Sequence, residues 1–327
     1  MKRRTFVAGL AATAGFPSAA LAQAATAVPE IGLFYTGPMA SAEARAKMVR
    51  DDLGAAGLVD GKTFVVSITA GKNDREQLTR LASSLIRPSV KVILAIGPGA
   101  VRAAQAATTT IPIVAVDLET DPVKEGFAQS LARPGGNMTG LFFDFPEFSG
   151  KLLELLNEAR PGLVRVAALW DPASGSVQIE AARAAAASRG MKLQTLRVED
   201  LSTLSDVLSA AQAENAEGLI VLSSPLFSAI GGIKPVAEQV TAHGLPAVTL
   251  FPEFAQNGGL MGYGPSLDDL YHQASELIAK LLRGEKAGDL PLQRPSRFRL
   301  IINLKAAKDL ALQLPASLVA RADEVIE

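Results

Sequence analysis

Short apolar runs and longer amphipathic stretches take turns along this chain. Residues 31–35 form an apolar run, followed by a loop at Thr36-Gly37-Pro38 and a helical stretch through Arg50. Residues 63–69 read as a second strand. Leu78, Leu81, Ala82, Leu85 and Ile86 then recur at helical spacing, which predicts a helix lying on a sheet. Residues 90–96 are almost continuously apolar, the pattern of a parallel strand covered on both faces. Gly97-Pro98-Gly99 breaks that run, a helix through Ala107 follows, and residues 113–116 make a fourth strand.

The alternation then restarts. Leu152, Leu155, Leu156 and Ala159 mark a helix, residues 164–170 a buried strand, and Asp171-Pro172 its end. Helices over residues 178–188 and 204–215 flank a strand at 192–198. A strand at 218–222 stops at Ser223-Ser224-Pro225, and a helix through His243 leads to a strand at 247–250. Two serial sets of β-α units predict an α/β protein of two doubly wound parallel-sheet lobes. The turn-rich stretch Arg133-Pro134-Gly135-Gly136-Asn137 marks a first crossing between lobes. Gly259 to Gly264 marks a second, ahead of a strongly amphipathic helix containing Leu267, Leu270, Tyr271 and Ala274. Residues 291–295 mark a third, before a strand at 298–302. The expected division is residues 23–140 and 264–291 for lobe one, and 141–263 and 292–327 for lobe two. Three short crossings favour rigid-body closure about a hinge.

The N-terminus sets an expected compartment. Lys2-Arg3-Arg4 precedes a short apolar stretch and Ala20-Leu21-Ala22, a signal peptide cleaved near Ala22. Arg3-Arg4-Thr5-Phe6-Val7 fits a twin-arginine signal, with ordinary secretion as the alternative. The expected location is the periplasm. The chain has no cysteine, so neither a disulfide nor a lipid anchor at the cleavage site is expected. About 300 mature residues suffice for a core built by burial alone. The formal net charge is −1, and Lys and Arg are scattered, so nucleic acid is not an expected partner.

Longer segments carry a family likeness. Residues 105–114, Asp121-Pro122-Val123 and the run from Ser130 to Leu141 resemble the bacterial ABC transporter substrate-binding family related to tryptophan- and phenylalanine-binding proteins. So do residues 149–156, Pro225-Leu226-Phe227, Glu253-Phe254, residues 258–264, residues 300–308 and Ala322-Asp323-Glu324-Val325-Ile326-Glu327. The ordered set spans almost all of the mature chain. The resemblance implies a type I periplasmic-binding-protein fold with three crossings, a small-molecule ligand and an ABC permease in the inner membrane as partner. It names a role and not a substrate.

Ligands of open α/β sheets bind beyond the carboxyl ends of the strands. On that rule lobe one offers Tyr35, Thr36, Gly37, Asn73, Asp74, Gly97, Pro98, Gly99, Ala100, Asp117 and Asp121. Lobe two offers Asp171, Ser174, Ser223, Ser224, Pro225, Phe251 and Glu253. The loop at residues 97–100 opens a helix, whose free N–H groups suit an anion. Many family members carry Thr where this chain has Pro98, so one hydroxyl and one donor are missing here. For Asp121 and Asp171 helix capping competes with ligand contact, since Asp-Pro places a capping acceptor before an N1 proline. Ser223 and Ser224 divide the same way, and the aromatics divide between stacking on a ligand and plugging the core.

Enzyme signatures fail in turn. Residues 97–102 have Arg102 where a dinucleotide fingerprint needs its third glycine. No Gly-x-Ser-x-Gly elbow occurs. His243 and His272 fall in separate predicted helices, so no His-based metal site or relay is expected. The expected protein is a monomeric solute-binding component of an ABC uptake system. It takes an amino acid or organic acid between its lobes, with no catalytic residue, metal or cofactor. An exported α/β enzyme, or a ligand-binding partner of a sensor receptor, is the alternative.

Overall fold

The computed structural model describes residues 28–71, 74–143, 145–228 and 232–327. The expected signal peptide and Asn73 lie outside the described residues. The first half runs β1 (Glu30–Thr36), α1 (Met39–Ala55), β2 (Val65–Gly71), α2 (Arg75–Ser84), β3 (Val90–Ile96), α3 (Pro98–Ala107), β4 (Ile113–Asp117) and β5 (Met138–Phe142). The second runs α4 (Phe145–Ala159), β6 (Arg165–Trp170), α5 (Val177–Ala187), β7 (Lys192–Arg197), α6 (Leu204–Ala213), β8 (Gly218–Val221) and α7 (Pro225–Ser228). It continues through α8 (Ile233–Ala242), β9 (Ala247–Thr249), α9 (Glu253–Gln256) and β10 (Met261–Gly264). Helix α10 (Leu267–Leu282) returns to the first half, and β11 (Arg299–Asn303), α11 (Leu304–Asp309), α12 (Ala316–Val319) and β12 (Glu324–Ile326) complete the second.

The first sheet has the order β2-β1-β3-β4-β5 and is parallel throughout. The second has the order β12-β11-β10-β9-β8-β6-β7. Its one reversed pair is β10 with β11. The chain leaves the second sheet at the carboxyl end of β10, visits the first half as α10, and re-enters from the same side. A strand re-entering that way must run opposite to the one that left.

Period-two alternation sorts side chains to the two faces of each sheet. Ile31, Leu33 and Tyr35 of β1 and Val92, Leu94 and Ile96 of β3 pack on the side that includes Ala42, Ala46, Val49 and Leu53 of α1. Phe34, Ile93 and Ala95 pack on the other, with Leu78 of α2 and Ala100, Val101 and Ala104 of α3. Both faces are therefore dry, which is why these strands read as continuous apolar runs.

Strand β5 occupies residues that the sequence presents as the end of a turn-rich crossing. Gly140 explains the mismatch. At its φ of 146° a Cβ would lie 2.1 Å from the carbonyl oxygen of Ala115 on β4, so only glycine allows β5 this close. Gln293 extends the pairing, donating its N–H to Gly140 O (2.8 Å) and accepting from Phe142 N (3.0 Å). The chain passes between sheets at three places: after Phe142, between β10 and α10, and between Gln293 and β11. An aromatic cluster draws on all three passages. Phe143 meets Phe148 edge-on at 4.8 Å, Phe148 stacks on Tyr263 at 5.5 Å, and Phe298 lies 5.8–6.0 Å from the three rings.

Candidate functional site

Parallel strands put their carboxyl ends along one edge, and here the two sheets turn those edges toward each other. Tyr35, at the end of β1, donates its hydroxyl to Pro225 O of the other half (3.3 Å). Ser223, just after β8, donates to Glu119 Oε1 (2.6 Å), again across the divide. Gln178 of α5 is fully buried and holds Ser223 by both backbone groups, its amide Nε2 on Ser223 O and its Oε1 under Ser223 N–H, each at 2.8 Å. Gly97, with φ 85°, faces Pro225 so closely that a Cβ there would sit 3.1 Å from its Cγ.

Between these contacts lies a cavity of about 30 Å³, room for about two water molecules. Tyr35, Arg45, Gly97 and Glu119 line it from the first half and Pro225 and Phe251 from the second, with Leu267, Leu270 and Tyr271 closing one side. A larger hollow of about 330 Å³ lies beside the crossings, bounded by Asp121, Leu131, Phe142, Phe143, Leu292 and Arg294 among others. The smaller one holds the buried charges.

Arg45 is 2 % exposed. It sits on the inward face of α1, in the stripe of Ala42, Ala46 and Val49. Its Nε donates to Tyr271 Oη (2.8 Å) and its Nη1 to Ser41 O (2.9 Å). Its guanidinium carbon lies 4.5 Å from the centre of the Tyr35 ring, a cation–π arrangement. Among the described residues no carboxylate pairs with it, and Nη2 makes no hydrogen bond.

Two carboxylates stand at the end of β4. Asp117 is completely buried and accepts from Glu119 N (3.0 Å), Thr120 N (3.1 Å) and Thr120 Oγ1 (2.5 Å). Glu119 accepts from Ser223 and from Leu118 N (3.1 Å). Burial, then the charge of neighbouring Asp117, pushes the Glu119 carboxyl up to about 8; burial raises Asp117 as well. Burial also pushes the Tyr35 hydroxyl up to about 12 and raises that of Tyr271. Near neutral pH the cavity thus carries one full cation and carboxyl groups that resist ionising.

The residues singled out from the sequence separate into three groups. Tyr35, Gly97, Pro225 and Phe251 line the cavity, and Ser223 and Asp117 hold its Glu119 wall. Asp171, Ser224, Thr36 and Pro98 are buried one layer behind. Ser224 Oγ donates to Asp171 Oδ2 (2.6 Å) and accepts from Leu226 N (2.9 Å), while Asp171 also caps a turn through Ala173 N (2.9 Å). Thr36 bonds Ile96 O (3.5 Å), and Pro98 sits at the first position of α3, with Gly97 as its cap. The rest lie elsewhere. Gly37 lies under the Tyr35 ring, and Gly99 and Ala100 belong to α3, Ala100 in its core. Asp74 is exposed and caps α2 through Gln77 N (2.7 Å), and Asp121 caps a turn through Val123 N (3.0 Å). Ser174 is buried, and Glu253 accepts from Leu267 N (2.8 Å), fixing the start of α10.

Arg45, Glu119 and Tyr271 escape a rule that inspects only strand ends. Two of them come from helices. The available signal was a basic residue on the apolar stripe of α1 and a tyrosine on that of α10. Among the described residues, no three His, Cys, Asp or Glu side chains are grouped to hold a metal, and no helix is long and apolar enough to cross a membrane.

The family model described as ABC transporter substrate binding protein matches residues 38–326. A curated tyrosine-binding protein of Clostridioides difficile (strain R20291) is 25% identical over 260 residues, 79% of this chain and 73% of that one. A domain from Streptococcus pneumonia solved in complex with L-Trp superposes with a TM-score of 0.80 at 21% identity, covering 91% of this chain and 100% of that one. A substrate binding protein from Clostridium difficile in its ligand-free, open form superposes at 0.64, with 22% identity, 91% of this chain and 99% of that one. The fold is that of type I periplasmic binding proteins.

Proposed function

The chain belongs to the ABC transporter substrate-binding protein family, and from that premise we propose that it captures a free amino acid between two lobes and presents it to an inner-membrane ABC permease. The first sheet with α10 forms one lobe and the second sheet the other, and the three passages at the aromatic cluster form the hinge. The observation that carries this is the cavity whose walls come from both halves. A metabolite of amino-acid size needs more than about 30 Å³, so loading requires the halves to part, breaking the Tyr35–Pro225 and Ser223–Glu119 bonds, and to close around the ligand with a wider cavity than this one. A ligand that touches both walls only when they meet favours the closed state, and that difference is what a permease reads.

The basic and then apolar N-terminus supports capture in the periplasm, and among the described residues lining the cavity none forms a nucleophile–base pair. Small-angle scattering tests the mechanism. The mature protein, stripped of ligand by mild denaturation and refolding, is expected to be larger in radius of gyration and to contract when its amino acid is added. Identical curves with and without a bound amino acid would remove hinge closure. Mass spectrometry of the compound that co-purifies names the ligand.

A further inference from the structure

The two halves meet through their own groups, around a cavity of about 30 Å³. Two hydrogen bonds cross the divide there, Tyr35 Oη to Pro225 O at 3.3 Å and Ser223 Oγ to Glu119 Oε1 at 2.6 Å. Both ends of the shorter bond are buried, Glu119 at 5 % and Ser223 at 3 % exposed. Gln178 fixes the Ser223 end by both backbone groups. The Glu119 end is a carboxyl, which can change its charge, and fully buried Asp117 stands against it as a second one. Asp117 has three donors within its own loop, Glu119 N, Thr120 N and Thr120 Oγ1. Glu119 has one from its loop, Leu118 N, and takes the Ser223 hydroxyl from the other half. Two carboxylates in one buried site cannot both ionise cheaply. Asp117 is the better seat for the charge, and Glu119 for the proton.

We propose that Glu119 is a proton-operated latch between the lobes. Protonated, its carboxyl accepts from Ser223 across the divide and lets the halves meet on their own groups. Ionised, it opposes that closure, because a charge beside Asp117 is stable only when water reaches it. This inference rests on the two-lobe closure reading and adds a second input to it, pH, which acts on the protein before any solute arrives.

The direction of the pH effect follows from the groups around it. Glu119 faces Asp117 on its own loop, Tyr35 of β1, Tyr271 of α10 and Ser223 of the other half, and Arg102 of α3 acts on Asp117. Arg45 of α1 lines the same cavity and directs its donors to Tyr271 and Ser41. Parting the halves removes Ser223 and admits water, returning the Glu119 carboxyl toward its ordinary value of 4.5; meeting again buries it and pushes it up to about 8. Closing therefore takes up a proton between those two values. The closed-to-open ratio falls by up to about tenfold per pH unit across that window. Asp117 keeps its loop donors in both arrangements and contributes less to the slope.

The test is small-angle scattering of the mature protein, stripped of solute, at pH 5, 7 and 9, with folding checked at each pH by circular dichroism. The wild type is expected to grow in radius of gyration from pH 5 to pH 9. Glu119→Gln keeps an oxygen for the Ser223 hydroxyl and cannot ionise, so it should hold the compact pH 5 dimension throughout. Ser223→Ala removes the donor and should be larger than wild type at pH 5. A Glu119→Gln variant that expands with pH as wild type does would assign the titration to another group and overturn the latch. So would a Ser223→Ala variant identical to wild type at pH 5. A separate arm adds a mixture of the twenty free amino acids, and includes the protein as purified with whatever solute it carries. If the wild type keeps one size at every pH but contracts in that arm, the latch falls and capture by closure stands. If neither pH, the mixture nor the carried solute changes the size, hinge closure falls with it.

Discussion

Glu30 and Glu119 lie at opposite edges of the same five-stranded sheet, and the protein treats them in opposite ways. At the amino edge, Glu30 is gripped by Arg87, whose Nε lies 3.2 Å from Oε2 and whose Nη2 bonds Oε1, and by Ser89 Oγ at 2.7 Å. Burial works against its charge, but Arg87 with the Ser67 and Ser89 hydroxyls outweighs it and lowers the carboxyl to about 2. At the carboxyl edge, Glu119 has a second carboxylate for a neighbour and is pushed up to about 8. Arg45, a cation buried there, engages tyrosines instead. A closed ion pair serves the fold. At the carboxyl edge, a buried cation and a carboxyl that resists ionising line one cavity without pairing with each other.

Exchanging each acid for its amide should expose that contrast in stability. The largest effect belongs to Glu30→Gln. A lowered carboxyl contributes stability above the unfolded value near 4.5 and loses it as pH falls toward about 2. The variant is expected to lose about 2–3 kcal/mol at pH 7, measured by urea unfolding, and to show a flatter acid limb than wild type between pH 4.5 and 2.

Glu119→Gln should move the other way. Its carboxyl stays protonated in the fold up to about 8 while the unfolded chain ionises above about 4.5. Wild-type stability therefore falls as pH rises through that window, and the amide removes the slope. The variant is expected to match wild type near pH 5 and to exceed it at pH 8. A variant less stable than wild type at pH 8 would mean that Glu119 is a structural acid like Glu30.

The smallest effect is expected at Arg102, which sits in α3 behind the carboxyl edge. Its pair with Glu125 (2.9 Å) is partly exposed, so Arg102→Ala should cost less than about 1 kcal/mol. Because Arg102 also lowers Asp117, the loss should steepen the decline of stability with rising pH. Urea unfolding at pH 5 and pH 8 measures both.

Most of the strand–helix alternation in the two serial β-α sets and part of the cavity rim were readable from one sequence, although residues 259–264, read as a crossing, contain strand β10. Apolar runs report strands dry on both faces, and parallel strands must place their ends on a common edge, which located Tyr35, Gly97, Ser223, Pro225 and Phe251. Asp74 and Asp121 met the same rule and proved to be caps. A residue at a strand end can point its oxygen back along the chain as easily as into a cleft, and spacing does not separate the two.

The tertiary structure alone decided the rest. Strand β5 exists because Gly140 lets it approach Ala115, a steric fact with no periodic signature. Arg45 and Tyr271 sit on apolar helix stripes, where sequence assigns packing, and they meet only because α1 and α10 cover the same face of one sheet. Periodicity records which side of an element is buried. Whether a buried charge has a partner depends on elements distant along the chain, and that decides between a group locked into the fold and one that stands unpaired.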